Sequence, residues 1–211
     1  MTKIATLAGI ALLAGQALAA APNVTVIPLG SSDCRKWPGH IYQGPGVDMT
    51  GYMQFEAVDV DDVGLNTLYT SFTSMPWAGS TREVMTLDLR RSRAIAKPYY
   101  RCINGELRYL SNDPLRVAKD VRNGFVTKET VGYKLEPYAH EIDGVRQPGV
   151  FLGALNQTTW GFFWRSASCS TTGAKNDYYE VKLQNLPVDP DTEPRAGYDP
   201  INFGFLKVIN W

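Results

Sequence analysis

Acidic residues are the first candidates for chemistry in this sequence of 211 residues. A glycoside hydrolase places two carboxyl groups across the bond that it cleaves, and facing strands of a β-protein can supply them. The candidates for such a catalytic pair are Glu56, Asp59, Glu141 and Asp143, with Glu136 behind them. Glu56 and Asp59 would point to opposite faces of one strand, so they cannot form the pair by themselves. A solvated acid on a strand is common, so this pattern is not specific for hydrolysis.

A second acidic cluster, "DVDDVG" at 59–64, suggests calcium. Asp59 and Asp61 alternate onto one side, and Asp62 adds a third oxygen donor of the kind that Ca²⁺ prefers. The segment lacks the spacing of an EF-hand loop, and adjacent acids are also common in turns without any ion. The sequence therefore offers these three residues as metal ligands but predicts no cofactor.

Signatures of other enzyme classes are missing from the sequence. There is no Gly-x-Ser-x-Gly nucleophile motif and no glycine-rich phosphate loop that leads into a helix. His140-Glu141 has no second histidine four residues on, so the zinc-protease pattern fails. These absences favour a binding protein, with a two-carboxylate hydrolase as the alternative.

Aromatic residues carry the strongest signal for binding. In "WGFFWR" (160–165) the side chains of Trp160, Phe162 and Trp164 would share one face of a strand, which is more typical of a core than of a binding surface. Trp37 and Trp77 lie instead in segments rich in proline and glycine, "KWPGH" and "MPWAGS", where an indole is harder to bury. We therefore expect Trp37 and Trp77 to contact a ligand, because flat aromatic rings stack on the apolar faces of sugars.

The N-terminus predicts secretion. Lys3 precedes a short apolar run that ends in Ala17-Leu18-Ala19, so residues 1–19 are expected to be a signal peptide and 20–211 a single secreted domain. No later apolar run is long enough to span a membrane. The sequence has 21 basic and 21 acidic residues, a balance that does not favour nucleic acid as a partner. The short basic run at 89–93 leaves heparin-like glycans as an alternative ligand.

Modification sites agree with this compartment. Asn23 and Asn156 begin Asn-x-Thr sequons and are expected to carry glycans. Three cysteines are present, and an oxidising compartment favours one disulfide bond. Cys102 and Cys169 both adjoin strand-like segments, so we expect them to form the bond, with Cys34 left buried or free for a partner chain.

The elements that must position these residues are predicted to be strands. Alternating, β-branched segments recur along the chain, and Asn104-Gly105, Asn123-Gly124 and Asp143-Gly144 are typical hairpin turns. Segment 113–123 fits either a short helix or a hairpin arm, and the four prolines of 186–200 predict a surface loop. We expect an all-β, antiparallel, single-domain β-sandwich with at most one short helix, or alternatively a distorted β-barrel.

Two functions are consistent with these observations. The first is a secreted, non-catalytic protein that binds a glycan, a cell-wall polymer or an extracellular protein. The second is a secreted carbohydrate-active hydrolase that uses two carboxylates. Two acids about 5–10 Å apart in an aromatic-walled cleft would favour the hydrolase, whereas a flat aromatic patch with scattered acids would favour the binding protein. The sequence leaves the ligand and the oligomeric state open.

Overall fold

The computed structural model describes residues 24–42, 44–77, 80–89, 99–109, 114–119, 125–127, 132–166, 177–187 and 202–210. The predicted signal peptide, Asn23, Cys169 and the turn Asn123-Gly124 lie outside these residues, as does most of the 186–200 loop. The described strands are β1 (Val24–Pro28), β2 (His40–Tyr42), β3 (Asp48–Thr50), β4 (Met53–Val58), β5 (Tyr69–Trp77), β6 (Ser80–Asp88), β7 (Arg101–Ile103), β8 (Glu106–Arg108), β9 (Leu115–Val117), β10 (Phe125–Thr127), β11 (Tyr133–Lys134), β12 (Glu136–Ile142), β13 (Val145–Arg146), β14 (Val150–Gly153), β15 (Trp160–Arg165), β16 (Tyr178–Leu183) and β17 (Asn202–Asn210).

Six of these strands close into a barrel. Their order is β17-β15-β16-β6-β5-β4, and β4 pairs back onto β17. The all-β prediction is confirmed, and the architecture is the barrel that the sequence left as the alternative to a sandwich. Helical structure in the described residues amounts to one 3-10 turn, Val63–Leu65. Closure removes the free sheet edges that a sandwich would expose.

β17 is the central strand of the fold, and it connects the barrel to a sheet extension. One edge of β17 pairs with β4 over six residues. The other edge pairs first with β15 at 202–204 and then with β14 at 207–208. β14 continues into β12 and the edge strand β1, with β13 beside β12. The C-terminal segment therefore docks as a strand, and its alternating residues suit burial on one face.

Two smaller sheets complete the described structure. β2, β3, β7 and β8 form one, and β10, β9 and β11 form the other. Segment 113–123 is thus a hairpin arm over its described part, because Leu115–Val117 forms β9 between two antiparallel partners. Leu115 and Val117 are buried, whereas Arg116 lies on the opposite face, which is the alternation of a strand.

Two of the predicted hairpin turns are present in the structure. Asn104-Gly105 joins β7 to β8 and Asp143-Gly144 joins β12 to β13, and all four residues have positive φ angles. Positive φ at both central residues belongs to the tight type I′ hairpin turn, which matches the twist of antiparallel strands. The Asn-Gly and Asp-Gly pairs therefore specified the register of both hairpins.

The "WGFFWR" segment forms β15. Of the three aromatic residues that were expected to lie in the core, two are buried there. Trp160 and Phe162 are fully buried in the main hydrophobic cluster, next to Leu183 and Val181 of β16. Trp160 Nε1 also donates a hydrogen bond to the Leu152 carbonyl at 2.9 Å. Trp164 differs, because 38% of its surface is exposed at the end of the strand.

The predicted Cys102–Cys169 bond is wrong, because Cys102 is bonded to Cys34 with a Cα–Cα distance of 5.5 Å. Cys102 lies in β7, next to β3, whereas the β15 strand that precedes Cys169 belongs to the barrel. The Asp48 carboxylate of β3 accepts a hydrogen bond from the Cys34 backbone at 2.9 Å and so brings this loop to β7. A strand-like neighbourhood in sequence did not indicate proximity in space.

Candidate functional site

A pocket of about 170 Å³ opens on the outer wall of the barrel. Its lining combines apolar side chains, two carboxylates and two hydroxyls: Val24, Val26, Asp59, Asp61, Thr158, Thr159, Phe203, Gly204 and Phe205. The residues come from β1, from the loop after β4, from the segment just before β15 and from β17. Phe203 and Phe205 alternate with Leu206 and Val208, which are buried in the core, so the phenyl rings lie on the outer face of β17.

Phe203 supplies an accessible aromatic surface to this pocket. Its side chain is 41% exposed, which is unusual for a phenylalanine inside a strand. Its backbone is fixed by Asp61, which donates its N–H to the Phe203 carbonyl and accepts the Phe203 N–H on Oδ2, both at 3.0 Å. These two bonds extend the β4–β17 ladder past the end of β4. The ring is therefore presented from a rigid backbone.

Asp59 and Asp61 both line the pocket, from the loop that follows β4. Asp59 has a φ of +50°, a left-handed conformation that aspartate and asparagine tolerate better than most residues. Among the described residues, no group donates a hydrogen bond to its exposed carboxylate. Gly204 allows this loop to cross β17 closely, because a Cβ at that position would lie 2.8 Å from Val60 Cγ2. The Asp59 carboxylate can therefore accept hydrogen bonds from a ligand on both oxygens, whereas Asp61 Oδ2 already accepts the Phe203 N–H.

The described residues do not form the predicted calcium site. Asp62 is absent from the pocket lining, and its Oδ1 accepts the N–H of Gly64 at 2.8 Å to cap the 3-10 turn. No group of three or more His, Cys, Asp or Glu side chains in the described ranges is arranged to hold a metal ion. The third acid of "DVDDVG" thus has a structural role as an N-cap.

The back of the pocket is closed by a buried histidine. The His140 Nε2 atom lies 2.8 Å from the Thr158 hydroxyl, and its ring stacks on Phe151 with centroids 3.8 Å apart. The ring edge of Phe205, a pocket residue, packs against the same imidazole at 4.6 Å. Burial lowers the pKa of His140 to about 4, so the imidazole is neutral at physiological pH.

Of the predicted catalytic acids, only Asp59 lines this pocket; Glu56, Glu136, Glu141 and Asp143 lie outside its lining. Glu56 sits on β4 opposite Lys207 and Tyr69, and Glu141 sits on β12 opposite Thr25 and Arg146. Asp143 occupies the hairpin turn after β12. These three acids belong to different strands or turns, and none of them lines this pocket.

The expectation that Trp37 is exposed in its loop is wrong. Trp37 is only 2% exposed and belongs to the main hydrophobic cluster together with Cys34. The Cys34–Cys102 bond and the hydrogen bond from Trp37 N to the Cys34 carbonyl hold its loop against the core. Trp77 ends β5, opposite Ser80, and its side chain lies outside the described part of the structure. Its role in binding stays a prediction.

Phe203, Thr158 and Thr159 were not identified as site residues from the sequence. The alternation in "INFGFLKVINW" does place Phe203 and Phe205 on the face opposite to Leu206 and Val208. The sequence does not indicate that the Phe203 face of β17 lines a pocket, because only the fold brings Asp59 and Asp61 beside it. The two threonines follow an exposed turn and give no chemical signal of their own.

Comparison with known proteins adds no assignment. No protein-family model matches the chain. No curated protein sequence matches it either. The function must therefore be inferred from the pocket itself.

In the described residues, the structure contains no helix that is long and apolar enough to cross a membrane.

Proposed function

We propose that this protein is a secreted, non-catalytic binding module that takes one hydroxyl-rich ring of a glycan in the Phe203 pocket. The observation that carries the proposal is the exposed phenyl ring of Phe203 beside the carboxylates of Asp59 and Asp61. A sugar ring has an apolar C–H face and polar hydroxyl edges, so it needs both kinds of surface at once.

The polar groups of the pocket suit hydroxyl donors. Asp59 offers both carboxylate oxygens, and charge-assisted hydrogen bonds from hydroxyls to a carboxylate are stronger than neutral ones. Thr159 can act as donor or acceptor. Thr158 is already bonded to His140 and so serves mainly to close the site. The pocket thus has one aromatic wall and an acidic edge that can orient a ring lying on that wall. Asp59 and Asp61 both come from the loop after β4, and Asp61 Oδ2 already accepts the Phe203 N–H, so they are not two acids from facing strands of the kind that the hydrolase requires.

The size of the pocket limits what it can take. Its volume of about 170 Å³ corresponds to about five or six water molecules at about 30 Å³ each. Pockets for drug-sized ligands are typically about 300–1,000 Å³. We therefore expect a single sugar ring, at the end of a chain or as a branch, with weak affinity for each site.

Secretion is part of the proposal and is supported by two observations. Residues 1–19 have the pattern of a signal peptide. The Cys34–Cys102 disulfide bond also fits an oxidising compartment, since such bonds are rare in the cytosol.

The proposal is tested by a glycan array followed by titration of the best ligand against two variants. Phe203→Ala removes the aromatic wall, and Asp59→Asn removes one charge while keeping a residue that accepts a left-handed backbone. Each change should weaken binding about tenfold, which is the loss of one good contact.

Two matched controls separate the pocket from general surface effects. Asp143→Asn changes an aspartate with a similar φ of +51° outside the pocket. Tyr52→Ala removes another exposed aromatic ring, at the opposite end of β4 from Asp59. Neither control should alter binding. If Phe203→Ala binds as well as the parent protein, the pocket is not the site. Release of sugar products from the same ligand would instead support the hydrolase.

A further inference from the structure

A group of charged residues on the two small sheets, here called the basic cluster, is separate from the pocket. It consists of Arg108 on β8, Arg116 on β9 and Lys134 on β11, arranged around Glu106 on β8. Arg116 Nη2 contacts Glu106 Oε1, and Arg108 Nη2 lies 3.5 Å from Glu106 Oε2. The pKa of Glu106 is lowered, mainly by the hydrogen bond from Arg116 and further by the positive charges of Arg116, Arg108 and Lys134.

Among the described residues, this cluster has three cations and one carboxylate. Arg116 and Lys134 are direct cross-strand partners in the β9–β11 pair, and like charges in that position repel each other. The second carboxylate nearby, Glu136, already accepts hydrogen bonds from Ser31 at 2.9 Å and Tyr138 at 2.7 Å. An additional anion would relieve the repulsion.

Two side chains of the cluster, Arg116 and Lys134, have donors that are incompletely used. Arg116 Nη1 is buried and meets no hydrogen-bond acceptor in the described structure. Lys134 Nζ donates to the Ser31 carbonyl at 2.6 Å, and an ammonium group has two further hydrogens. A planar guanidinium beside an ammonium is a combination that suits the oxygens of phosphate and sulfate groups.

We propose that the basic cluster binds a tetrahedral oxyanion, either a free phosphate or sulfate ion or the sulfate group of a glycan. The anion would lie between Arg116 and Lys134, with Arg108 adding positive charge beside it and a small rotation of Arg116 directing Nη1 toward it. Glu106 holds the guanidinium groups in place and competes with the anion for them. This site shares no residue with the Phe203 pocket and does not depend on the function proposed for it.

Calorimetric titration with inorganic phosphate, inorganic sulfate and a sulfated heparin disaccharide tests this proposal. Lys134→Gln and Arg108→Gln should each weaken binding about tenfold, whereas Glu106→Gln should strengthen it because the competing carboxylate is neutralised. Affinity should fall as sodium chloride is raised. Tighter binding of the disaccharide than of the free ions would assign a sulfated glycan, and equal binding would assign the free ion.

Arg146→Gln is the matched control, since Arg146 is an exposed arginine on β13 away from the cluster. It should leave the titration unchanged, and so should Phe203→Ala in the pocket. Folding of each variant is checked by its thermal melting curve without added anion. Absence of anion binding at millimolar concentration would overturn the proposal. So would well-folded Lys134→Gln and Arg108→Gln variants that bind as tightly as the parent protein.

Discussion

His140 and Thr158 are joined by a buried side-chain hydrogen bond of 2.8 Å that links β12 to the wall of the Phe203 pocket. Thr158 lines the pocket, whereas His140 lies behind it, stacked on Phe151 and touched by the edge of Phe205. The imidazole is almost fully buried and no carboxylate forms an ion pair with it in the described structure. Protonation of His140 would therefore place an uncompensated charge behind the pocket.

The first prediction concerns acid stability. The pKa of His140 is lowered by burial to about 4, against about 6.5 in an unfolded chain. Between these values the unfolded state binds a proton that the native state does not, so the free energy of unfolding falls as pH drops from about 6.5 to about 4. The titration of His140 changes the free energy of unfolding by about 3 kcal/mol across this range, and the protein has the whole of this stability above pH 6.5. Chemical denaturation across this pH range measures it.

The comparison of two histidine variants isolates this effect from the titration of carboxylates. His140→Gln should lose the additional pH dependence between 4 and 6.5. His40→Gln, at the other histidine of the sequence, should retain it. Equal pH profiles for the parent protein and His140→Gln would show that His140 does not report on acid unfolding.

The second prediction concerns the disulfide bond. The Cys34–Cys102 bond spans 68 positions, and restricting a loop of that length in the unfolded chain contributes about 4 kcal/mol to stability. Replacing both cysteines by alanine should lower the free energy of unfolding by about this amount in denaturant titrations. Cys169→Ser is the control and should retain the bond. Peptide mapping under non-reducing conditions that links Cys169 to Cys102 would contradict the pairing.

The third prediction separates the aromatic residues of β15. Trp160→Ala should cost about 3–5 kcal/mol of stability, because it leaves a cavity in the core and removes the hydrogen bond to the Leu152 carbonyl. Trp164→Ala should cost much less, since Trp164 is partly exposed and contacts Tyr179 edge-on with ring centroids 5.2 Å apart. Thermal melting of the two variants makes the comparison, and an equal loss would show that Trp164 is a core residue as well.

The fourth prediction concerns the sequon at Asn156. The structure confirms that Asn156 is exposed at a tight turn, with a φ of +61° next to Leu155 at +49°. We expect a glycan on Asn156 in protein secreted from a eukaryotic host, detected by mass spectrometry of the tryptic peptide. Asn156→Gln removes the sequon and leaves Thr158 with His140, so it should abolish the modification without disturbing the pocket. An unmodified peptide would contradict the prediction.

Most of the local structure follows from residues that are close in sequence. Alternation of apolar and polar side chains specifies strands such as β4 and β17, and Asn104-Gly105 and Asp143-Gly144 specify hairpin turns through their positive φ angles. Burial of Trp160 and Phe162 was predictable for the same reason, because both side chains lie on one face of β15 and that face packs into the core. These features depend on the two-residue side-chain alternation of a strand and on the backbone preferences of turn residues. Contacts with distant parts of the chain change neither of them much.

The pocket was only partly predictable. The carboxylates of Asp59 and Asp61 were identified through their spacing, but the chemistry assigned to them was calcium binding together with Asp62. The structure uses Asp62 to cap a turn and places Phe203, more than a hundred residues away in sequence, beside Asp61. Pairing between β4 and β17 is responsible, and a sequence pattern cannot reveal which distant strand will be the partner.

The sequence by itself determined the strand content, the turns and the two buried aromatics of β15, since these depend on side-chain periodicity and local backbone preference. The tertiary structure decided that the strands close into a barrel, that Cys34 rather than Cys169 joins Cys102, and that Trp37 is buried while Phe203 is exposed. Each of these outcomes depends on which distant segments pair. The pairing of distant segments is governed by the total burial and hydrogen bonding of the whole chain, so it cannot be predicted from any single segment.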